Sequence, residues 1–185
     1  NWNARFGSCF AQNLQKELKH LEFDFYFNRN ICAYYTTTPL KEMLFWIAND
    51  VPHDDDELYF YNEEGTDVGC YRYFRMRCYG ENAKERTLAE MYRLDNELKQ
   101  NLQDTDIIII TLGTAQNGHL NKTGKQICTF FGIPPEESTI NPLSVTDVQT
   151  DLEEIYQHLL TIRNGKSFEL FLTVSPQRYN WAWKI

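Results

Sequence analysis

The sequence predicts a three-layer α/β domain built on a doubly wound, mostly parallel sheet. Two observations carry that prediction. The run Asp106-Ile107-Ile108-Ile109-Ile110-Thr111 is continuous and β-branched, and a strand apolar on both faces belongs inside a parallel sheet covered by helices. Around it, amphipathic helical stretches alternate with short apolar runs, as in α/β domains. With 185 residues, 42% of them hydrophobic and 24% charged, the chain has the size and balance of one domain spanning 1–185.

The elements follow in order. Trp2, Ala4 and Phe6 alternate in a short apolar stub that ends at Gly7-Ser8-Cys9. Residues 11–21 then place Leu14, Leu18 and Leu21 at helical spacing, and Phe23 to Phe27 reads as a strand. Pro39 opens a helix to about Ala48, with Leu40, Leu44 and Ile47 on one face. The acidic run His53 to Glu57 reads as a solvated loop. Tyr59 to Tyr79, rich in aromatics, reads as a strand pair or an irregular insertion. Asn82 to Leu102 is the strongest helix, carrying Leu88, Met91, Leu94, Leu98 and Leu102 on one face. Gly113 to Gly124 reads as a loop, and Pro134-Pro135 with Asn141-Pro142 marks a long connection. Ser144 or Thr146 caps a last helix to about Arg163, ended by Asn164-Gly165, and Ser167 to Val174 is an apolar strand.

Composition excludes several function classes. A net charge of −8 leaves no basic surface for nucleic acid, and the one basic stretch, Arg72 to Arg77, alternates with aromatics like a strand. No apolar run approaches the roughly 20 residues of a membrane span. Five cysteines at irregular spacing, without a CxxC pair, argue against structural zinc and against a disulfide framework. They point to a reducing compartment such as the cytoplasm. Asp54, Asp55 and Asp56 are consecutive and cannot converge on one ion, so neither metal nor cofactor is expected.

In open α/β sheets ligands bind beyond the carboxyl ends of the strands. Three loops leave such ends: Gly7-Ser8-Cys9, Leu112-Gly113-Thr114-Ala115 and Ser175-Pro176. Ser8 stands before a helix, where free backbone N–H groups favour developing negative charge, and Gly7 lets the chain turn sharply. By itself this pattern equally describes Ser8 as an ordinary N-cap. Cys9 competes as a thiol nucleophile, though neighbouring side chains point apart and a packed cysteine fits as well. Among the histidines, His20, His53 and His158 read as exposed, and His119, in the loop after Gly113, is the one near Ser8. A solvated loop residue is the simpler reading of it.

Gly7-Ser8-Cys9-Phe10-Ala11 is identical to the motif that names the GSCFA family. Thr111-Leu112-Gly113-Thr114-Ala115 resembles the family's T-x-G-T-A element and Thr173-Val174-Ser175-Pro176 its T-V-S-P element, each after a strand. Cys128 resembles the cysteine of the family's N-C-H-K segment. The resemblance implies an SGNH/GDSL-like hydrolase fold in which Ser8 is the nucleophile. It further implies an oxyanion hole drawing on Gly113, with Thr114 or Asn117 in the role of the superfamily's Asn, because this chain has Ala115 where that Asn is expected. Gly7, Cys9, Ser175 and His119 would then line the cleft. The substrate implied is a small-molecule or O-acylated carbohydrate ester, hydrolysed or transferred through an acyl-enzyme. The superfamily's late Asp-x-x-His base has no counterpart in the chain, so the base is expected beyond Ile185, in a domain cut at both ends. The competing reading is a non-catalytic ligand-binding module on the same fold.

Overall fold

The computed structural model describes residues 2–7, 17, 20, 22, 24–28, 31, 34–73, 76–128 and 133–175. In chain order the strands are β1 (Trp2–Gly7), β2 (Asp24–Tyr26), β3 (Leu58–Phe60), β4 (Asp67–Cys70), β5 (Arg77–Tyr79) and β6 (Thr105–Leu112). They continue with β7 (Gln116–Leu120), β8 (Gln126–Ile127), β9 (Ser138–Pro142) and β10 (Glu169–Val174). The helices are α1 (Thr37–Ala48), α2 (Ala83–Gln103) and α3 (Val145–Ile162). The expected helix over 11–21 lies outside the described residues apart from Glu17 and His20, both helical.

A mixed α/β architecture results. β10, β6, β1 and β2 form a parallel sheet in that order, with the isoleucine run of β6 in the interior. Register fixes which side chains share a face. Ala4, Ile108 and Leu170 are aligned, as are Phe6, Ile110 and Leu172. Ala4, Phe6, Ile108 and Ile110 are fully buried in one core with Leu40, Met43 and Leu44 of α1, Met91, Leu94 and Leu98 of α2, and Ile155 and Leu159 of α3. Each of these side chains larger than Ala4 contributes about 1.5–3 kcal/mol of transfer free energy. From β1 to β2 the chain steps one way across the sheet, and from β2 to β6 to β10 it steps the other. Because crossovers keep one hand, helices of the last two connections fall on a common face. The shared core of α1, α2 and α3 agrees with that.

Two polar joints hold the helices. Asp151 of α3 is buried and accepts from the hydroxyls of Thr37 and Thr38, each at 2.7 Å, while Lys41 Nζ lies 2.7 Å from its other oxygen. These donors sit in the first turn and a half of α1, which starts two residues before Pro39. Proline fits there because its missing N–H has no acceptor inside the helix. Arg163, also buried, donates from Nη1 to Leu102 O at 2.5 Å and thereby caps the carboxyl end of α2. α3 opens with a capping box between Ser144 and Asp147.

The structure corrects three sequence expectations. β3, β4 and β5 form a three-stranded antiparallel sheet, in place of a strand pair. The segment expected as a loop and a long connection builds a second antiparallel sheet, ordered β8-β7-β9, so His119 lies in a strand, half-buried and paired with Thr139 and Gln126. The run His53 to Glu57 is not uniformly solvated, since the His53 side chain is fully enclosed and Glu57 is buried. Local composition is polar in both cases, and the partners that bury these residues come from distant parts of the chain.

Candidate active site at the carboxyl edge of the sheet

The strand ends expected to carry chemistry meet at one edge. Gly7 is in register with Thr111, and Thr111 with Thr173, so β1, β6 and β10 finish level with one another. Gly7 has φ +134°, and a Cβ there would lie 2.5 Å from Thr111 O and 2.7 Å from Thr111 Cβ. Only glycine fits, because both the conformation and the approach to β6 exclude a side chain. Thr173 Oγ1 donates to Thr111 Oγ1 at 2.9 Å, and Ser175 N donates to Leu112 O at 2.7 Å. The third loop is therefore pinned to the second. Ser175 is buried.

Backbone contacts from outside the sheet complete the edge. Gly113 N and Thr114 N both donate to Tyr35 O, at 2.8 and 3.0 Å. Leu143 N donates to Ala115 O at 2.8 Å, holding the start of α3 beside the same loop. Thr36, the N-cap residue of α1, and Asn117 of β7 each carry a buried side-chain oxygen without a hydrogen-bond partner among the described residues. A buried polar atom left unpaired costs on the order of 1–3 kcal/mol.

The edge is also where strand order reverses. β1 is followed outward by β2 on one side and by β6 and then β10 on the other, the arrangement that opens a crevice between the first and third strands of a parallel sheet. Gly7 ends β1 and Gly113 follows β6, the two strands at that reversal. The GSCFA family model matches residues 4–183, a range that includes all three edge segments. The chain belongs to the GSCFA family. Neither a curated protein nor a solved structure matches it.

The residues assigned to the site by this GSCFA resemblance are placed unequally. Ser8 and Cys9 lie outside the described residues, as does Pro176. Gly7, Gly113, Thr114 and Ser175 stand at the edge. Asn117 is in β7, close behind the loop, with its Oδ1 enclosed. His119 is further along β7, about 13 Å beyond Ala115 at the rise of a strand, towards the end paired with Ser138. The other histidines are directed elsewhere. His158 packs edge-on against Phe45, roughly 20 Å along α3 from its first residue. His20 precedes the amino end of β2, and both ring nitrogens of His53 face carboxylates.

Sequence reasoning missed Tyr35 and Thr36, which reach the edge only through the tertiary position of α1. No local signal marks them beyond the threonine pattern that starts the helix. The thiols are of two kinds. Burial pushes the Cys70 thiol up to about 12 and raises that of Cys128, so both remain protonated. Cys9 and Cys32 lie outside the described residues. No helix among the described residues is long and apolar enough to cross a membrane.

Proposed function

We propose that the chain is an SGNH-type serine hydrolase, or acyl transferase, with Ser8 as nucleophile and an ester of a small molecule or O-acylated carbohydrate as substrate. The observation that carries this reading is the level finish of β1, β6 and β10. It brings Gly7, which directly precedes Ser8, beside the Gly113–Thr114 loop and Ser175 at a strand-order reversal. The same strand order, in which the β1-to-β2 step runs opposite to the later ones and so calls for a crossover on the face away from α1, α2 and α3, supports a three-layer doubly wound domain of the SGNH/GDSL kind.

In this mechanism Ser8 Oγ attacks the ester carbonyl, its proton passes to a base, and the carbonyl π electrons move onto oxygen. Backbone N–H groups at the edge hold that oxyanion. Collapse expels the alcohol, which takes up the proton, and leaves an acyl-enzyme. Water or a second alcohol then releases the acyl group. Tyr35 O occupies the Gly113 and Thr114 N–H groups, so substrate binding has to displace it before either can serve as a donor. That occupancy favours the second reading, a ligand-binding module that keeps the edge without turnover. Incubating the full-length protein with a serine-directed phosphonate and with simple acyl esters separates the two. Labelling at Ser8 with ester turnover supports the hydrolase. Absence of both, with saturable binding of an acylated sugar, supports the module.

A further inference from the structure

The densest group of ionisable side chains lies away from the sheet edge. His53 Nδ1 is 2.8 Å from Glu57 Oε2, and His53 Nε2 is 3.0 Å from Asp95 Oδ2. Arg72 sits beside the ring, with Nη1 at 3.5 Å from Glu57 Oε2 and Nη2 at 3.5 Å from Asp95 Oδ2. Its guanidinium stacks 4.0 Å over the Trp46 ring of α1. Tyr73 donates to Asp95 Oδ1, and Tyr92 of α2 packs edge-on against His53. Glu42 of α1 lies in the field of Arg72. The His53 side chain is fully enclosed and that of Arg72 is 2% exposed, while a crevice of about 80 Å³ reaches Trp46, Tyr92 and Asp95.

The ring has two incompatible ways to complete its hydrogen bonds. Arg72 Nη1 is 2.6 Å from His53 Nδ1, the nitrogen that also faces Glu57. When Nδ1 carries no proton, Arg72 donates to it and the Glu57 oxygen loses that donor. When both nitrogens carry protons, each donates to a carboxylate and Arg72 must draw back. Protonation also balances the two carboxylates against two cations, and deprotonation leaves one negative charge in excess within an enclosed space.

Arg72 is connected to the candidate site by backbone. Tyr34, fully inside the core, donates from its hydroxyl to Arg72 O at 2.9 Å, and the next carbonyl, Tyr35 O, holds the Gly113 and Thr114 N–H groups. We propose that His53, Glu57, Arg72 and Asp95 form a protonation-sensitive clamp that, through Tyr34 and Tyr35, sets how firmly the Gly113–Thr114 loop is held. The clamp regulates the site proposed above and rests on that reading only in counting this loop as part of it. Tyr34 and Arg72 are positioning residues, since neither touches substrate in this arrangement. With His53 neutral, Arg72 donates to Nδ1 and is fixed, the loop stays bound to Tyr35 O, and the donors are withheld. With His53 protonated, Arg72 draws back, the restraint loosens and the donors become available.

Amide hydrogen exchange on the full-length protein tests this without substrate. Protection of Gly113 and Thr114, corrected for intrinsic exchange, is expected to rise about tenfold between about pH 6 and pH 8.5, the range in which histidines titrate. Protection of Ile108 to Ile110 is expected to hold. His53→Gln should remove the pH dependence, and His119→Gln, in the adjoining strand β7, should leave it intact. Tyr34→Phe should lower protection of the loop at both pH values without lowering that of Ile108 to Ile110. Loop protection independent of pH in the parent overturns the proposal. So does a pH dependence that survives His53→Gln or disappears in His119→Gln. Equal losses at the loop and in β6 on Tyr34→Phe also overturn it, because they indicate general destabilisation. Should His53→Gln fail to fold, the parent and Tyr34→Phe decide. Absence of ester turnover alongside intact coupling removes the hydrolase reading and leaves the clamp standing.

Discussion

The carboxyl edge of the parallel sheet and the joint around His53 are furnished in opposite ways. At the edge, backbone supplies most of the contacts: Gly113 N, Thr114 N and Ser175 N donate to carbonyls, and Gly7 contributes only the absence of a side chain. Around His53, two carboxylates each lie within 4 Å of both a guanidinium and an imidazole, nearly closed to solvent. A search for catalytic groups by density of ionisable residues stops at the second region. Both nitrogens of its histidine are engaged, however, by carboxylates. In the first region three strands of a parallel sheet end level with one another, where such sheets take their ligands. What the contrast teaches is that titratable density alone does not distinguish a structural joint from a centre of reaction.

The largest effect that sharpens this contrast is expected at the edge. In the full-length protein, Ser8→Ala should reduce ester turnover by several powers of ten, as for other serine nucleophiles, while unfolding free energy changes by about 1 kcal/mol. Cys9→Ala should leave most of the turnover, and thiol reagents should do the same. Loss of turnover on Cys9→Ala with Ser8→Ala active transfers the chemistry to the thiol. Steady-state kinetics on a chromogenic ester, with urea unfolding of each variant, gives both quantities.

Gly7→Ala should be the costliest small change to stability at the edge. Its Cβ would meet the backbone oxygen of Thr111, which belongs to the interior strand and cannot yield as a flexible side chain does. Overpacking and the unfavourable φ together should cost about 3 kcal/mol in urea unfolding. Arg72→Met should cost about as much, by a different route, because it leaves the buried Glu57 and the half-buried Asp95 with His53 as their remaining cationic partner among the described residues. A distinction separates the two regions: converting Asp95 to Asn should recover part of the Arg72→Met loss and none of the Gly7→Ala loss. Double-mutant unfolding cycles read this directly. Equal recovery in both would mean that the edge and the joint are one cooperative unit.

These regions also differ in how far the sequence discloses them. The four isoleucines of β6 and the leucine spacing of α2 announce themselves through period alone, and both elements fall where the pattern puts them. Ser144 with Asp147 three residues later marks the start of α3. β7, β8 and β9 carry Gln-Asn-Gly-His-Leu, Gln-Ile and Ser-Thr-Ile-Asn-Pro, too polar for a strand signal, and β9 is largely exposed. Pairing rather than burial holds much of that sheet, and pairing leaves little trace in composition. Of the edge, the glycine and serine motifs are legible, whereas the need for glycine at position 7 depends on its register with Thr111. Burial of His53 depends on Arg72 and Asp95, which lie far along the chain, and an i,i+4 acid is all that its own neighbourhood shows.

The smallest expected effect is in the pH dependence of stability, where two histidines oppose each other. For His53, burial alone lowers the pKa, but hydrogen bonds to Asp95 and Glu57 outweigh it and hold the ring above the ordinary value. A raised folded-state pKa gives stability that is fully present below the unfolded value, about 6.5, and is lost as pH rises through the folded value. For His158, burial against Phe45 dominates and lowers the pKa. Its contribution is present above the unfolded value and lost as pH falls through the folded one. In the parent the two slopes partly cancel near neutrality. His53→Gln should therefore leave a protein whose stability rises with pH across that window, and His158→Gln one whose stability falls. Urea midpoints measured at several pH values should show these opposite slopes. Matching slopes in the two variants would mean that His53 is not held as a cation, and the joint would then depend on Arg72 alone.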